Sequence, residues 1–240
     1  YGDFNIGETL RDTEDARKEI ADWIGTEKQR LNEKMAKECD TIVAGLYEYL
    51  AIYEPLFPKK TEFIPFPIVC DDDTPTIEFH KDGEPIKIFI GINKSRSAYK
   101  GTDIMLKAAK EVESKYPDKL KLTVVESVPF DEYRKMMMSC DAIVDQLYSY
   151  TPSMNPLEAM SHGLICIGGG EPENYEVLNE TELRPIVNVE PTFKSVYSQI
   201  ENMVLHPENI STRQRQSIEY IRKHHDYIKV AKQYEKLYMK

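Results

Sequence analysis

The run Tyr150-Thr-Pro-Ser-Met-Asn-Pro-Leu-Glu-Ala-Met-Ser-His-Gly163, continued by Leu-Ile-Cys-Ile and then Gly168-Gly-Gly170, carries residue types suited to holding an anion. Its spacing predicts a helix with Asn155 as N-cap, Pro156 at the first helical position and Glu158 at the third, where the carboxylate can return to the Asn155 amide. Gly163 closes that helix, and Leu164 to Ile167 has the branching of a central parallel strand. Two roles for Glu158 stay open. It caps the helix, or the amides of Ser153, Met154 and Asn155 hold a phosphate while Glu158 accepts from a ribose hydroxyl.

A second cluster, Gly91-Ile-Asn-Lys94-Ser-Arg96-Ser-Ala-Tyr-Lys100-Gly101, leaves a predicted strand and enters a predicted helix. Its three cations form either a solvated basic loop or a cradle for a diphosphate, because Arg offers a fork to phosphate oxygens and Lys a compact charge. The spacing is that of neither a Walker loop nor a Gly-x-Gly-x-x-Gly dinucleotide turn. Gly168, Gly169 and Gly170 can bring backbone close to a ligand or form only a turn. Asp145 and Gln146 end a strand where a carboxylate and an amide can meet sugar hydroxyls, or can serve as a cap. The five histidines lack the spacing of a metal site, so no metal is expected. No Ser-His-Asp or Cys-His set can be assembled, and no catalytic residue is assigned.

These groups need elements to position them. Residues 13–38 read as a charged helix with a thin apolar face of Ala16, Ile20, Trp23, Ile24, Leu31 and Met35. A short strand at 41–44, a helix at 46–53 and a proline-broken extended segment at 61–68 follow. The acidic stretch 70–85 reads as a linker. From residue 86 strands (86–92, 120–126, 142–145, 164–167, 185–189) alternate with helices (102–116, 131–140, 172–179, 192–206), which implies a doubly wound parallel α/β sheet with ligands beyond its carboxyl edge. The tail 211–238 is helical, with a bend expected at His224 and His225.

The composition bounds the function classes. Across 240 residues, 41 acidic against 31 basic side chains leave a net charge of −10, which argues against nucleic acid or an anionic membrane as the main partner. Cys39, Cys70, Cys140 and Cys166 are scattered, a pattern of reduced thiols and a cytoplasmic setting. No run is long and apolar enough to span a bilayer, and no signal segment opens the sequence. The chain begins at Tyr1 without an initiator methionine and is expected to be a fragment of a longer polypeptide.

Taken together, Ile88-Phe-Ile-Gly-Ile, Tyr99-Lys-Gly, Ser139-Cys-Asp-Ala-Ile-Val-Asp-Gln-Leu and Leu157-Glu-Ala-Met-Ser-His-Gly-Leu-Ile-Cys with the glycine loop resemble the group 1 (family 4) glycosyltransferases of GT-B fold, over about residues 40–240. The resemblance implies a Rossmann-like donor-binding domain at 86–240, a linker at 70–85, and the end of an acceptor-side α/β domain at 1–69. It implies retaining, metal-independent transfer of a sugar from a UDP- or GDP-linked donor to an acceptor hydroxyl in polysaccharide or glycolipid synthesis, without a cofactor. A glycan or lipid-linked acceptor at the inner membrane face fits it, with peripheral association and no integral span. Lys100 matches the family's lysine on the donor diphosphate, Glu158 its ribose-binding glutamate, and Ser153 to Asn155 the turn whose amides meet phosphate. Asn93 stands where the family has the second residue of a Gly-Arg pair, so Lys94 or Arg96 must supply the second cation. Tyr150 replaces the family's first glutamate, which shifts sugar contacts toward Asp145, Gln146 or the loop with Gly91, Gly169 and Gly170. The alternative is a non-catalytic nucleotide-binding module of the same fold that serves protein assembly.

Overall fold

The computed structural model describes residue 18 and residues 21–93 and 97–239, with only the backbone of Ala98 and Tyr99. Lys94, Arg96 and most of the first twenty residues therefore lie outside the described residues. The chain divides into two units, Tyr1–Pro65 and Phe66–Lys240.

In the first unit, helix α1 (Glu27–Glu38) begins where Thr26 accepts from the Gln29 amide. The long helix expected to run to residue 38 is interrupted just before this cap, at Gly25, whose φ is 76°. Its expected apolar face is also turned differently. Leu31 and Met35 are 57% and 62% exposed, while Ala36 is buried and Asn32 accepts from the Tyr53 hydroxyl at 2.9 Å. A side-chain hydrogen bond to α2 (Tyr47–Tyr53) thus orients α1 where the sparse apolar stripe does not. Strands β1 (Ile42–Ala44) and β2 (Thr61–Phe63) pair in parallel beside these helices.

The second unit is built on five parallel strands: β3 (Ile86–Ile92), β4 (Leu120–Glu126), β5 (Ala142–Val144), β6 (Ile165–Gly168) and β7 (Val187–Asn188), in the order β4-β3-β5-β6-β7. Alternate side chains along each strand feed opposite layers. Ile88, Ile90, Ile165 and Ile167 share one core with α4 (Thr102–Lys115) and α8 (Phe193–Leu205). Phe89, Ile143 and Cys166 face the other side, against α5 (Phe130–Met137), α6 (Met154–Ser161) and α9 (Ile210–His224). The middle strands β5 and β6 are buried at every position, as apolar runs covered by helices on both faces must be. This is the doubly wound, Rossmann-like sheet that the alternation of elements implies. Short helices α3 (Ser97–Lys100) and α7 (Pro172–Glu176) precede α4 and follow β6.

The stretch 70–85, read from sequence as a linker, packs into this second unit. The Ile77 amide donates to His162 O at 2.8 Å and the His80 amide to Gln214 Oε1 at 2.9 Å, and Cys70, Ile77 and His80 are buried. Its few apolar residues anchor it despite the acidic and proline content around them. The tail breaks where the histidine pair stands: α9 ends at His224, and Asp226 caps α10 (Tyr227–Tyr238) by accepting from the Lys229 amide at 2.9 Å. No helix among the described residues is long and apolar enough to cross a membrane.

Candidate functional site

The described residues among those singled out in the sequence gather at the carboxyl edge of the parallel sheet, where β3, β5 and β6 run out into loops, while Lys94 and Arg96 lie outside the described residues. Lys100 ends α3 and Gly101 follows with φ 68°, the left-handed conformation. A Cβ on Gly101 would lie 2.7 Å from the Leu147 Cβ and 2.8 Å from the Tyr148 ring. Only glycine lets the chain turn there against the loop after β5. The Leu147 amide donates to the Lys100 carbonyl at 2.7 Å, which closes the contact.

Asp145 sits at the end of β5 and is 7% exposed. Its Oδ1 accepts from Ser153 Oγ at 3.1 Å, and its Oδ2 from the Ser153 amide at 3.3 Å. Burial raises its pKa, while the Lys100 charge and the bonds from Ser153 pull the other way. Asp145 is therefore a cap for the loop that starts α6. Both oxygens engage Ser153, and each keeps a further lone pair for another donor. Gln146, half-buried, contributes its carbonyl oxygen to the wall facing Gly168.

The start of α6 differs from the expected one by two residues. Ser153, not Asn155, is the N-cap residue, with extended φ and ψ of −79° and 179°. Pro156 thereby falls in the first turn, and Asn155 is itself helical. Asn155 Nδ2 donates to the Tyr133 hydroxyl at 3.0 Å, so the side chain expected to cap reaches across to α5 instead. The expected return of Glu158 to the Asn155 amide does not occur. Of the three amides expected to be free, that of Ser153 is taken by Asp145. Those of Met154 and Asn155 have no protein acceptor among the described residues, as first-turn amides of a helix do not.

Glu158, 44% exposed at its side chain, faces α5. Its Oε1 lies 3.8 Å from Arg134 and 3.5 Å from His162 Nε2. His162, almost fully buried, holds Pro75 O with its Nδ1, and Arg134 lies 3.3 Å from the Nε2. Arg134 also lines an open groove with Pro75, Asp131, Lys135 and Met138. Sequence reasoning did not single out Tyr133 or Arg134. They belong to no motif and stand on α5 ahead of Met137, its one buried residue.

Gly91 and the glycine loop take their residue type from the protein's own packing. A Cβ on Gly91 would meet the Tyr133 hydroxyl at 2.7 Å, and the Tyr133 ring stands edge-on to Phe89 with centroids 4.8 Å apart. A Cβ on Gly169 would lie 2.0 Å from Ser149 O, and one on Gly170 2.7 Å from the Ile186 side chain. Both residues are buried. The close approach that glycine permits is thus to the Ser149–Tyr150 backbone, and the Glu171 amide adds a bond to Tyr150 O at 3.2 Å.

No protein-family model matches this sequence, nor does any curated protein. In structure the chain is similar to the sucrose-phosphate synthase of Thermosynechococcus elongatus (TM-score 0.66, 14% identity, covering 100% of this chain and 66% of that one). It is similar to TarM (TM-score 0.64, 12% identity, 88% and 46%). Anabaena HepE, solved in complex with UDP-glucose, aligns with TM-score 0.63 and 13% identity over 88% and 67%. At such identities the likeness is one of fold, the Rossmann-like sheet of the GT-B type. The chain spans from under half to about two-thirds of the length of these proteins.

Proposed function

We propose that this chain is the donor-binding portion of a retaining, metal-independent glycosyltransferase of the group 1 (family 4) kind. It takes a UDP- or GDP-linked sugar and passes the sugar to a hydroxyl of a glycan or lipid-linked acceptor, in polysaccharide or glycolipid assembly at a cytoplasmic membrane face. Residues 86–240 form the donor side and residues 1–69 the end of an acceptor-side domain.

One observation carries the reading: the loop after β5 joins the Lys100 loop to the head of α6, through the Leu147 amide on the Lys100 carbonyl and through Asp145 on Ser153. A cation and an uncapped helix start with two free amides, at Met154 and Asn155, are the means by which a protein stabilises a leaving diphosphate as negative charge builds on it. Lys94 and Arg96, from the same loop, add further cations. Glu158 accepts from a ribose hydroxyl with one carboxylate oxygen, while the other faces Arg134, whose guanidinium also lies against His162 Nε2. Solved relatives of this fold in complex with UDP or UDP-glucose support the same choice of ligand.

The test is calorimetric titration with UDP, GDP and ADP, with and without EDTA, on the parent chain and on Lys100→Ala and Glu158→Ala. One nucleotide is expected to bind without metal, and each substitution should weaken it at least ten-fold. Equal binding by the parent and both variants, or binding abolished by EDTA, rejects the assignment. Tyr150, standing where an acidic residue serves the resembled family, favours a second reading: a nucleotide-binding module without turnover. Binding of the nucleotide sugar with neither transfer nor hydrolysis by the full polypeptide would select it.

A further inference from the structure

The junction of α8 and α9 holds a partly open pocket of about 40 Å³, and none of its lining residues belongs to the donor site described above. Gln199 and Asn202 from α8, His206, Asn209 and Arg213 supply its polar wall, and no Asp or Glu lines it. Glu208 stands beside it and is already engaged, with His206 Nδ1 at 3.2 Å and Asn209 Nδ2 at 3.5 Å from its Oε1.

Arg213 is the unusual member. Its side chain is part-buried, and burial pulls its pKa below the ordinary arginine value, the nearby Tyr175 acting in the opposite sense. Among the described residues no carboxylate, carbonyl or hydroxyl accepts from its guanidinium. A part-buried arginine without a protein acceptor keeps donors to offer, and its planar fork matches the oxygens of a tetrahedral anion. The surroundings favour the same sign of ligand. The first turn of α9 holds no acidic residue and Asn209 makes no capping bond there; Glu208 precedes it in a single 3-10 turn, and the positive end of the 15-residue helix adds to the guanidinium charge.

We propose that this pocket binds a small tetrahedral oxyanion of the inorganic phosphate type. The Arg213 guanidinium is its counterion, and the side-chain amides of Gln199 and Asn202 are further donors. The volume is ample for its oxygen centres, since a single water requires only about 10–15 Å³ on this measure.

The test titrates the Lys100→Ala chain with inorganic phosphate at constant ionic strength, so that the proposed donor site is weakened. One saturable site is expected. Adding Arg213→Gln should weaken it at least ten-fold, whereas adding Arg222→Gln, which removes an exposed arginine of the same helix, should leave it unchanged. Phosphate binding that is absent, or equal with and without Arg213→Gln, overturns the proposal. Because Arg213→Gln can also disturb folding, the His206 ring resonances of the unsubstituted chain provide a second measurement. They should shift along the same saturation curve, and resonances that stay in place at saturating phosphate overturn the proposal as well.

Discussion

The Leu147 amide donates to the Lys100 carbonyl at 2.7 Å, and this bond joins two loops that leave neighbouring strands, β3 and β5, at the same edge of the sheet. The position of the Lys100 ammonium depends on that junction. Gly101 is the residue that makes it sterically feasible. Gly101→Ala should therefore cost at least about 1–2 kcal/mol of stability from its left-handed φ alone, with more from the clash against Leu147. Urea denaturation checks the first effect. Nucleotide titration of the folded variant should show weaker binding although no ligand-facing side chain has changed.

Gly169→Ala and Gly83→Ala form a matched pair. The first places a Cβ 2.0 Å from a backbone oxygen that cannot step aside, so a loss of about 3 kcal/mol or more is expected. The second meets nothing within 4 Å and carries only the strain of φ 87°, about 1 kcal/mol. Equal losses in chemical denaturation would show that the contact between the glycine loop and Ser149 is not rigid.

Asp145→Ala removes the acceptor for both the amide and the hydroxyl of Ser153. A loss of about 1–3 kcal/mol should follow, with Asp145→Asn losing less because one carbonyl oxygen remains. Circular dichroism melts of the two variants give the order. A reversed order would mean that relief of the buried charge outweighs the lost hydrogen bonds.

His225 sets an acid limit. It is buried at the break between α9 and α10 with Nδ1 donating to Phe66 O at 3.0 Å, and burial pushes its pKa from 6.5 down to about 4. The unfolded chain then binds a proton that the folded one refuses. Stability from this group is complete above pH 6.5 and falls as pH drops toward 4, by up to about 3 kcal/mol. Glu180 adds in the same direction. Burial alone would raise its pKa, but hydrogen bonds from His224, Lys223 and the amides of Glu182 and Leu183 hold it far below the carboxylate range, so its share is lost under still stronger acid. His225→Asn should flatten the stability profile between pH 6.5 and 4. An unchanged slope would assign the acid loss to the carboxylates.

Periodicity made the second unit legible because strands covered on both faces must be continuously apolar, and helices crossing between them must return a stripe to the sheet. Ile86 to Ile92 and Thr102 to Lys115 follow that rule to within a residue. Where a hydrogen bond decides, the pattern misleads. Asn155 has the type and spacing of a cap, yet its side-chain amide meets Tyr133, and the N-cap position falls to Ser153, which is held by Asp145 eight residues earlier. Arg134 and Tyr133 were illegible because their partners, Glu158 and Asn155, are distant in sequence and no local spacing announces such a meeting. The thin face of α1 failed for the opposite reason: a stripe of isolated apolar residues leaves the choice of buried side to a single polar contact, Asn32 with Tyr53.

The pairing of Ile68 with Asp226 has a consequence for how the second unit comes into being. Ile68 donates its amide to His225 O at 2.7 Å and accepts from the Tyr227 amide at 3.1 Å, and Cys70 Sγ reaches Asp226 across 156 residues. A segment made early during synthesis thus waits for one made late. The sheet between them can form while the chain still emerges from the ribosome, but this seam closes only after residue 227 has emerged, which makes it a late step of folding during synthesis.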